Sequence, residues 1–338
     1  MAKTKILFFA IFLTVICLSV NVNFVYAYTI ENLNIQNQGD IVVGPGKTEV
    51  LMSPGDNYTK EMLITNRSGV EKIIDISIED FQGTNDPNET LQFLGDKKGP
   101  YSLKDYVKPE ITHINLKNGQ RLRLPVVISI PATAAPGGLY GAAMVSASNL
   151  EEASGTVADN SAASRVKVIT RIASLFFVRI KGDVINEGSL KDFKTEKSFY
   201  EAGPVNFQIL FENKGSVYLS PYGSIEIKNI LGQKIDERQV DPWFVLPGST
   251  RERIIKWNSN FLFGRYSATL IMNRGYNDII DSKTFAFWVI PWKIISIILI
   301  GLILIIWFFV WILSHIQWRK DKIIPPPPPV PESHEQKI

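Results

Sequence analysis

The chain has 338 residues, 45 % hydrophobic and 20 % charged, with a formal net charge of +3, one cysteine and three histidines. So few thiols and imidazoles exclude a disulfide scaffold and the usual zinc centres. Setting aside the two ends (Lys3, Lys5, Lys293, Arg319, Lys320, Lys322 and Lys337 against Asp321, Glu332 and Glu335) leaves 29 basic and 30 acidic residues, too even a balance for the basic stripe that nucleic acid requires.

Lys3 and Lys5 precede an uncharged apolar run from Ile6 to Val20, and V-Y-A at 25–27 follows. This pattern predicts a secretory signal peptide over 1–27, cut between Ala27 and Tyr28. Cys17 lies inside the run and leaves with it. An exported chain without disulfides points to a bacterial surface protein rather than a small animal ectodomain.

From Tyr28 onward, apolar residues recur with period two and turn residues interrupt them, so the prediction is all-β, two tandem immunoglobulin-like sandwiches. Ile74, Ile76 and Ile78 share one face of a strand over 71–80, and Leu122, Leu124, Val126, Ile128 and Ile130 share one over 121–130. K-N-G-Q at 117–120 reads as the hairpin turn that introduces the latter. Residues 165–181 are apolar on both faces, which calls for a central place in a sheet. Their simplest partner is 139–147, so 148–164 becomes a mobile loop at a hairpin tip and the first domain spans 28–182. The second, 183–290, carries Val205, Phe207, Ile209 and Phe211, then Ile225 and Ile227, a strand ending at Trp257, another with Tyr266 to Met272, and a last one with Phe285, Phe287 and Val289.

Ile294 to Leu313 is a run of twenty residues without a charge, close to the roughly 30 Å a helix needs to cross a bilayer at about 1.5 Å per residue. Within 291–318, Trp292 and Trp318 stand where interfacial aromatics belong, and Arg319, Lys320 and Lys322 mark the cytoplasmic side. The expectation is a single-pass protein of the plasma membrane, its ectodomain outside and the tail 319–338 inside. P-P-P-P-P-V-P at 325–331 favours a polyproline rod, a stiff spacer or a ligand for a cytoplasmic partner.

V-L-M-S-P-G-D-N-Y at 50–58 leading into L-I-T-N-R-S at 63–68, and I-P-A-T-A-A-P-G-G-L-Y-G-A at 130–142, resemble turns and strands of the bacterial WxL-interacting surface proteins. The layout of signal, two sandwiches, one span and short basic tail is similar too. The resemblance implies a first domain that binds peptidoglycan, a second that engages a host or other protein, and no catalysis. The proline-rich tail departs from the pattern.

Catalytic motifs are sparse. His113 is the one histidine of 28–292, in the strand pattern E-I-T-H-I-N-L, and no nucleophile elbow or phosphate-cradling glycine loop accompanies it. No cofactor or metal is expected. Glu79, Asp80, Asp86 and Glu89 form an acidic stretch whose spacing matches no calcium loop. The chain's sequons at Asn57, Asn66 and Asn88 are short enough to arise by chance. Among Tyr218, Tyr222, Trp243 and Trp257, the last is in phase with Ile255 and reads as core. Trp243, between two turn signals, is the aromatic chosen for ligand binding. The expected function is non-enzymatic binding of cell-wall polymer or another surface protein. The alternatives are an accessory subunit of a membrane complex and a cell-envelope hydrolase acting through paired carboxylates.

Overall fold

The computed structural model describes residues 27–86, 89–149, 169–259 and 262–320. The predicted signal peptide up to Tyr26, most of the loop placed at 148–164, and the tail beyond Lys320 lie outside the described residues. The period-two segments are strands: β1 (Thr29–Asn32), β2 (Asp40–Gly44), β3 (Lys47–Met52), β4 (Asn57–Arg67), β5 (Lys72–Gln82), β6 (Gln92–Phe93), β7 (Val107–Pro109), β8 (His113–Leu116), β9 (Gln120–Ser129), β10 (Gly137–Asn149) and β11 (Thr170–Ile180). There follow β12 (Gly188–Thr195), β13 (Phe199–Tyr200), β14 (Val205–Asn213), β15 (Tyr222–Asn229), β16 (Lys234–Val240), β17 (Ser249–Trp257), β18 (Gly264–Asn273) and β19 (Ile280–Val289), then helix α1 (Trp292–Lys320).

Two β-sandwiches result. In the first, a sheet ordered β1-β9-β4-β2, with β7 also on β9, faces a sheet ordered β3-β11-β10-β5-β6, with β8 also on β5. Met62, Ile64, Leu122, Leu124 and Val126 meet Ile74, Ile76, Val145, Phe176 and Val178 between them. In the second, β12-β14-β17 faces β13-β19-β18-β15-β16. Phe207, Phe211 and Trp257 pack there against Ile225, Leu270 and Phe287. Interdigitated layers of this kind bury each strand's apolar face and leave its polar face wet.

K-N-G-Q is a tight turn but not a hairpin. Gly119 takes a left-handed φ of 79°, and Gln120 N–H donates to the Lys117 carbonyl at 3.1 Å. The strands on either side then part: β8 pairs with β5 in one sheet and β9 with β4 in the other. Leu116 and Leu122 are both buried, so the chain crosses between layers with each reaching the core from its own side.

A second local pattern repeats. T-N-R-S-G-V at 65–70 and E-N-K-G-S-V at 212–217 end β4 and β14 with a fully buried asparagine. Asn66 Nδ2 donates to the carbonyls of Val70 and Leu116, and Asn213 Nδ2 to those of Val217 and Val245. Their Oδ1 atoms accept from Ser68 N–H and Gly215 N–H. One amide thus bonds three backbone groups at the end of its strand, which explains asparagine at a buried site. The sequon at Asn66 is inside the fold.

The two faces of β11 divide between neighbours. β10 pairs with it from Gly137↔Ile180 to Ala147↔Thr170, and β3 runs parallel along its other edge from Lys47↔Leu175 to Met52↔Ile180. Phe176, Val178 and Ile180 enter the first core. Phe177 points the other way, toward the second sandwich. After β19, the 23 residues Trp292–Ser314 of α1 are long and apolar enough to cross a membrane, and their side chains lie open.

Replacing Asn66 or Asn213 by alanine removes three side-chain hydrogen bonds to the backbone at a buried position, so each variant should lose about 1–3 kcal/mol of stability in urea denaturation. Retained stability would show that the loops find other partners.

Candidate functional site

The outer face of the β10–β11 pair carries Tyr140, Ala142, Met144 and Phe177, and it would be an exposed apolar patch on an isolated first domain. The second sandwich covers it with Leu246, Phe244 and Tyr218. The Phe177 ring centroid lies 5.0 Å from Phe244, 5.1 Å from Tyr218 and 5.6 Å from Tyr140, all edge-on. This is the favourable aromatic geometry, and each pair adds about 0.5–1.5 kcal/mol beyond area burial. Tyr218 N–H donates to Tyr140 Oη at 2.7 Å, Gly138 N–H to the Ser216 carbonyl at 3.1 Å and Thr250 N–H to the Thr84 carbonyl at 3.3 Å. Gly83 sits close against the second sandwich: a Cβ there would fall 2.3 Å from Ser249 Cβ.

Lys47, at the start of β3, reaches over this cluster, with Nζ 4.6 Å from the Phe177 centroid and 5.1 Å from that of Phe244. It also pairs with Glu49. On the far side, Arg251 lies 4.4 Å over Phe244 and donates to its carbonyl. Cation and ring attract most strongly where water is scarce. Burial, and then the Glu49 carboxylate, push the Tyr218 phenol up to about 12. Burial likewise raises Tyr140, so both remain hydrogen-bond donors at neutral pH.

Where the sandwiches diverge, a cleft of about 500 Å³ opens. Glu49, Leu51, Phe177, Arg179, Lys181 and Tyr218 line it. Leu51 is 57 % exposed there. Arg179 and Lys181 have no carboxylate partner among the described residues, so the cleft offers two uncompensated cations beside an apolar floor. Its wall is a sheet edge. Leu175 and Lys181 N–H donate to Gly46 and Met52 carbonyls, so by alternation Glu49 and Leu51 turn their own N–H and C=O outward. Such an edge accepts an added strand.

A smaller hollow of about 480 Å³ lies at the end of the second sandwich where Tyr222 pairs with Asn273, between Tyr222, Pro242, Asn273 and the turn Tyr276–Asp278. Asn277 and Asp278 both hold a left-handed φ of 50°, a conformation these two residue types tolerate.

Trp243, chosen from the sequence as a ligand aromatic, is only 5 % exposed and packs edge-on to Phe211 in the second core. It has no open face to give a ligand. Trp257 is buried and donates its indole N–H to Asp236. Ala27 and Tyr28 open the described chain, both exposed, just before β1. Trp292 opens α1 at the surface, Trp318, Arg319 and Lys320 fall in its last turn, and Lys322 lies outside the described residues. His113 is exposed and bonds Asp75 through Nδ1 at 2.6 Å.

The acidic stretch is already engaged. Glu79 pairs with Arg171, and buried Asp80 accepts from the N–H groups of Gly99, Leu103 and Lys104. Among the described residues no group of three His, Cys, Asp or Glu side chains could hold a metal ion. Sequence reasoning missed Arg179, Lys181 and the β3 edge. Its one usable signal was the second apolar face of 165–181, which required a cover and so a junction.

No protein-family description and no curated protein matches the chain. Similar solved structures include the class 5 fimbriae chaperone CfaA, at 12 % identity over 75 % of this chain and 100 % of that one, with a TM-score of 0.35. The CsuC–CsuE chaperone and tip-subunit complex of Acinetobacter baumannii pili shows 10 % identity, 72 % and 97 % coverage and a TM-score of 0.36. For the E. coli chaperone DraB the values are 12 %, 73 %, 96 % and 0.33. Similarity this low says nothing of what this chain binds.

Phe177→Ala should remove about 3–5 kcal/mol and split thermal unfolding into two transitions, one per sandwich, in calorimetry. A single transition would show that the junction does not couple them. A phenol raised on folding contributes stability that is whole below pH 10 and lost as the pH rises toward 12. Tyr218→Phe should therefore flatten the alkaline fall in stability over that window, and an unchanged profile would place the titration elsewhere.

Proposed function

We propose that this chain is a membrane-anchored surface protein that binds another protein, without turnover, in the cleft between its two sandwiches. The observation that carries this reading is the cleft's composition: an open β3 edge, an aromatic floor, and Arg179 and Lys181, which have no carboxylate partner among the described residues. An extended segment would gain main-chain hydrogen bonds from Glu49 and Leu51, and acidic side chains on it would meet the two cations. The first domain supplies the edge and the second supplies Tyr218, so the site exists only while the junction holds.

The anchoring rests on α1 and the orientation on the basic residues Arg319, Lys320 and Lys322, which favour the cytoplasmic side. On this reading both sandwiches stand outside the cell at the plasma membrane, after removal of a signal ending at Ala27. The likeness to WxL-interacting proteins is compatible with this layout and adds wall polymer as a ligand class. One feature favours that second ligand: the hollow beside Tyr222 and Tyr276, with Asn273, Asn277 and Asp278, combines aromatic faces with amide and carboxylate groups suited to sugar hydroxyls.

Immobilised 28–290 should retain a protein from surface extracts. Arg179→Glu with Lys181→Glu should weaken that retention at least tenfold. Leu51→Pro, which deletes an outward N–H without breaking a ladder bond, should do the same. Retention of cell-wall material alone, lost on Tyr222→Ala, would replace the protein ligand by the polymer. Retention of neither would refute the binding role.

A further inference from the structure

The second sandwich has one end at which turns expose apolar side chains where polar ones are the rule. The β15–β16 turn presents Ile230 and Leu231, and Leu231 is 77 % exposed, the β17–β18 connection presents Phe263 at 60 %, and β13 presents Phe199 at 65 %. Register places these together. Asn229 pairs with Tyr266, Gly264 with Val289 and Phe199 with Trp288, so the two turns and the ends of β13 and β19 all lie at one end of the sheet β13-β19-β18-β15-β16. At about 4.8 Å per strand the row is roughly 15–20 Å wide.

These side chains are held, not loose. Asn229 Oδ1 accepts from the N–H groups of Leu231 and Gln233, and Gly232 turns the chain with a left-handed φ of 78°. Tyr266 Oη accepts from Phe263 N–H.

The same end leads into α1. Ile290 N–H donates to the Tyr200 carbonyl at 2.8 Å, Pro291 is buried, and Lys293 in the first helical turn pairs with Glu201 at 2.9 Å. No free stalk separates sandwich from helix. Ile290, at the height of Phe263, is two residues from Trp292, which is about 7 Å in extended chain and comparable to the headgroup layer on one side of a bilayer.

We infer that this end of the second sandwich is a lipid-contact surface, with Leu231, Phe263, Phe199 and Trp288 seated in the headgroup layer of the bilayer that α1 crosses. The inference rests on the proposed membrane span. Chain continuity selects the occupant, because whatever surrounds the first turn of α1 also meets these side chains. Aromatic rings settle at that depth, and Arg265, level with Trp288 and Phe199 on the same outer face, can meet headgroup phosphates. The sandwich then leans on the membrane through several points and its cleft is held at a fixed height and direction.

The test uses the full chain with Cys17→Ser, in vesicles of phosphatidylcholine and phosphatidylglycerol, with nitroxides attached to cysteines introduced singly. Leu231→Cys and Phe263→Cys report the contact, Ile298→Cys the span, and Ile280→Cys an equally exposed apolar position at the opposite end of the sandwich. Positions 231 and 263 should collide with oxygen several-fold more, relative to a water-soluble nickel chelate, than position 280, and less than position 298. Aqueous values at 231 and 263 with a hydrocarbon value at 298 would overturn the contact and leave the span. An aqueous value at 298 would overturn both. Shielding of 231 and 263 from oxygen and nickel alike would show a protein cover instead of lipid, again against the inference.

Discussion

The union of the two sandwiches depends on Phe177 standing between two cores. β11 buries Phe176 and Val178 in the first sandwich and turns Phe177 outward, where Tyr140, Tyr218 and Phe244 enclose it. A strand with two apolar faces cannot sit at the surface of a lone sandwich without exposing a patch. The second domain is the cover. Without it the cleft would lose Tyr218, and Lys47 would lose the Tyr218 and Phe244 rings and keep only that of Phe177.

The junction converts two modules into one body, and that has consequences for binding. A ligand that touches both sandwiches need not order them first, so less of its interaction energy is lost to ordering. Because α1 follows β19 with Pro291 buried and Lys293 tied to Glu201, the body is also coupled to its helix. Orientation toward a partner is then built into the chain.

Much of the fold was legible in the sequence because period two is a direct record of sheet burial. Val205 to Phe211 and Phe285 to Val289 are strands as their alternation requires, and the two-faced run 165–181 located β11 beside β10. The K-N-G-Q turn misled because a tight turn fixes local geometry and not which sheet receives the next strand. Trp243 misled for a related reason: flanking turn residues suggest exposure, but the loop between β16 and β17 folds inward and places the indole beside Phe211. Arg179 and Lys181 were out of reach, since two cations at a strand end gain meaning only when another domain closes over the neighbouring rings.

The central claim is that the sandwiches tumble as one rigid unit. Amide nitrogen relaxation of 28–290 measures this directly: strands of both domains should report a single shared rotational correlation time, that of the two sandwiches together. Two shorter, distinct times, one for each sandwich, would mean that the aromatic cluster does not join them and that the cleft between them is not a standing site.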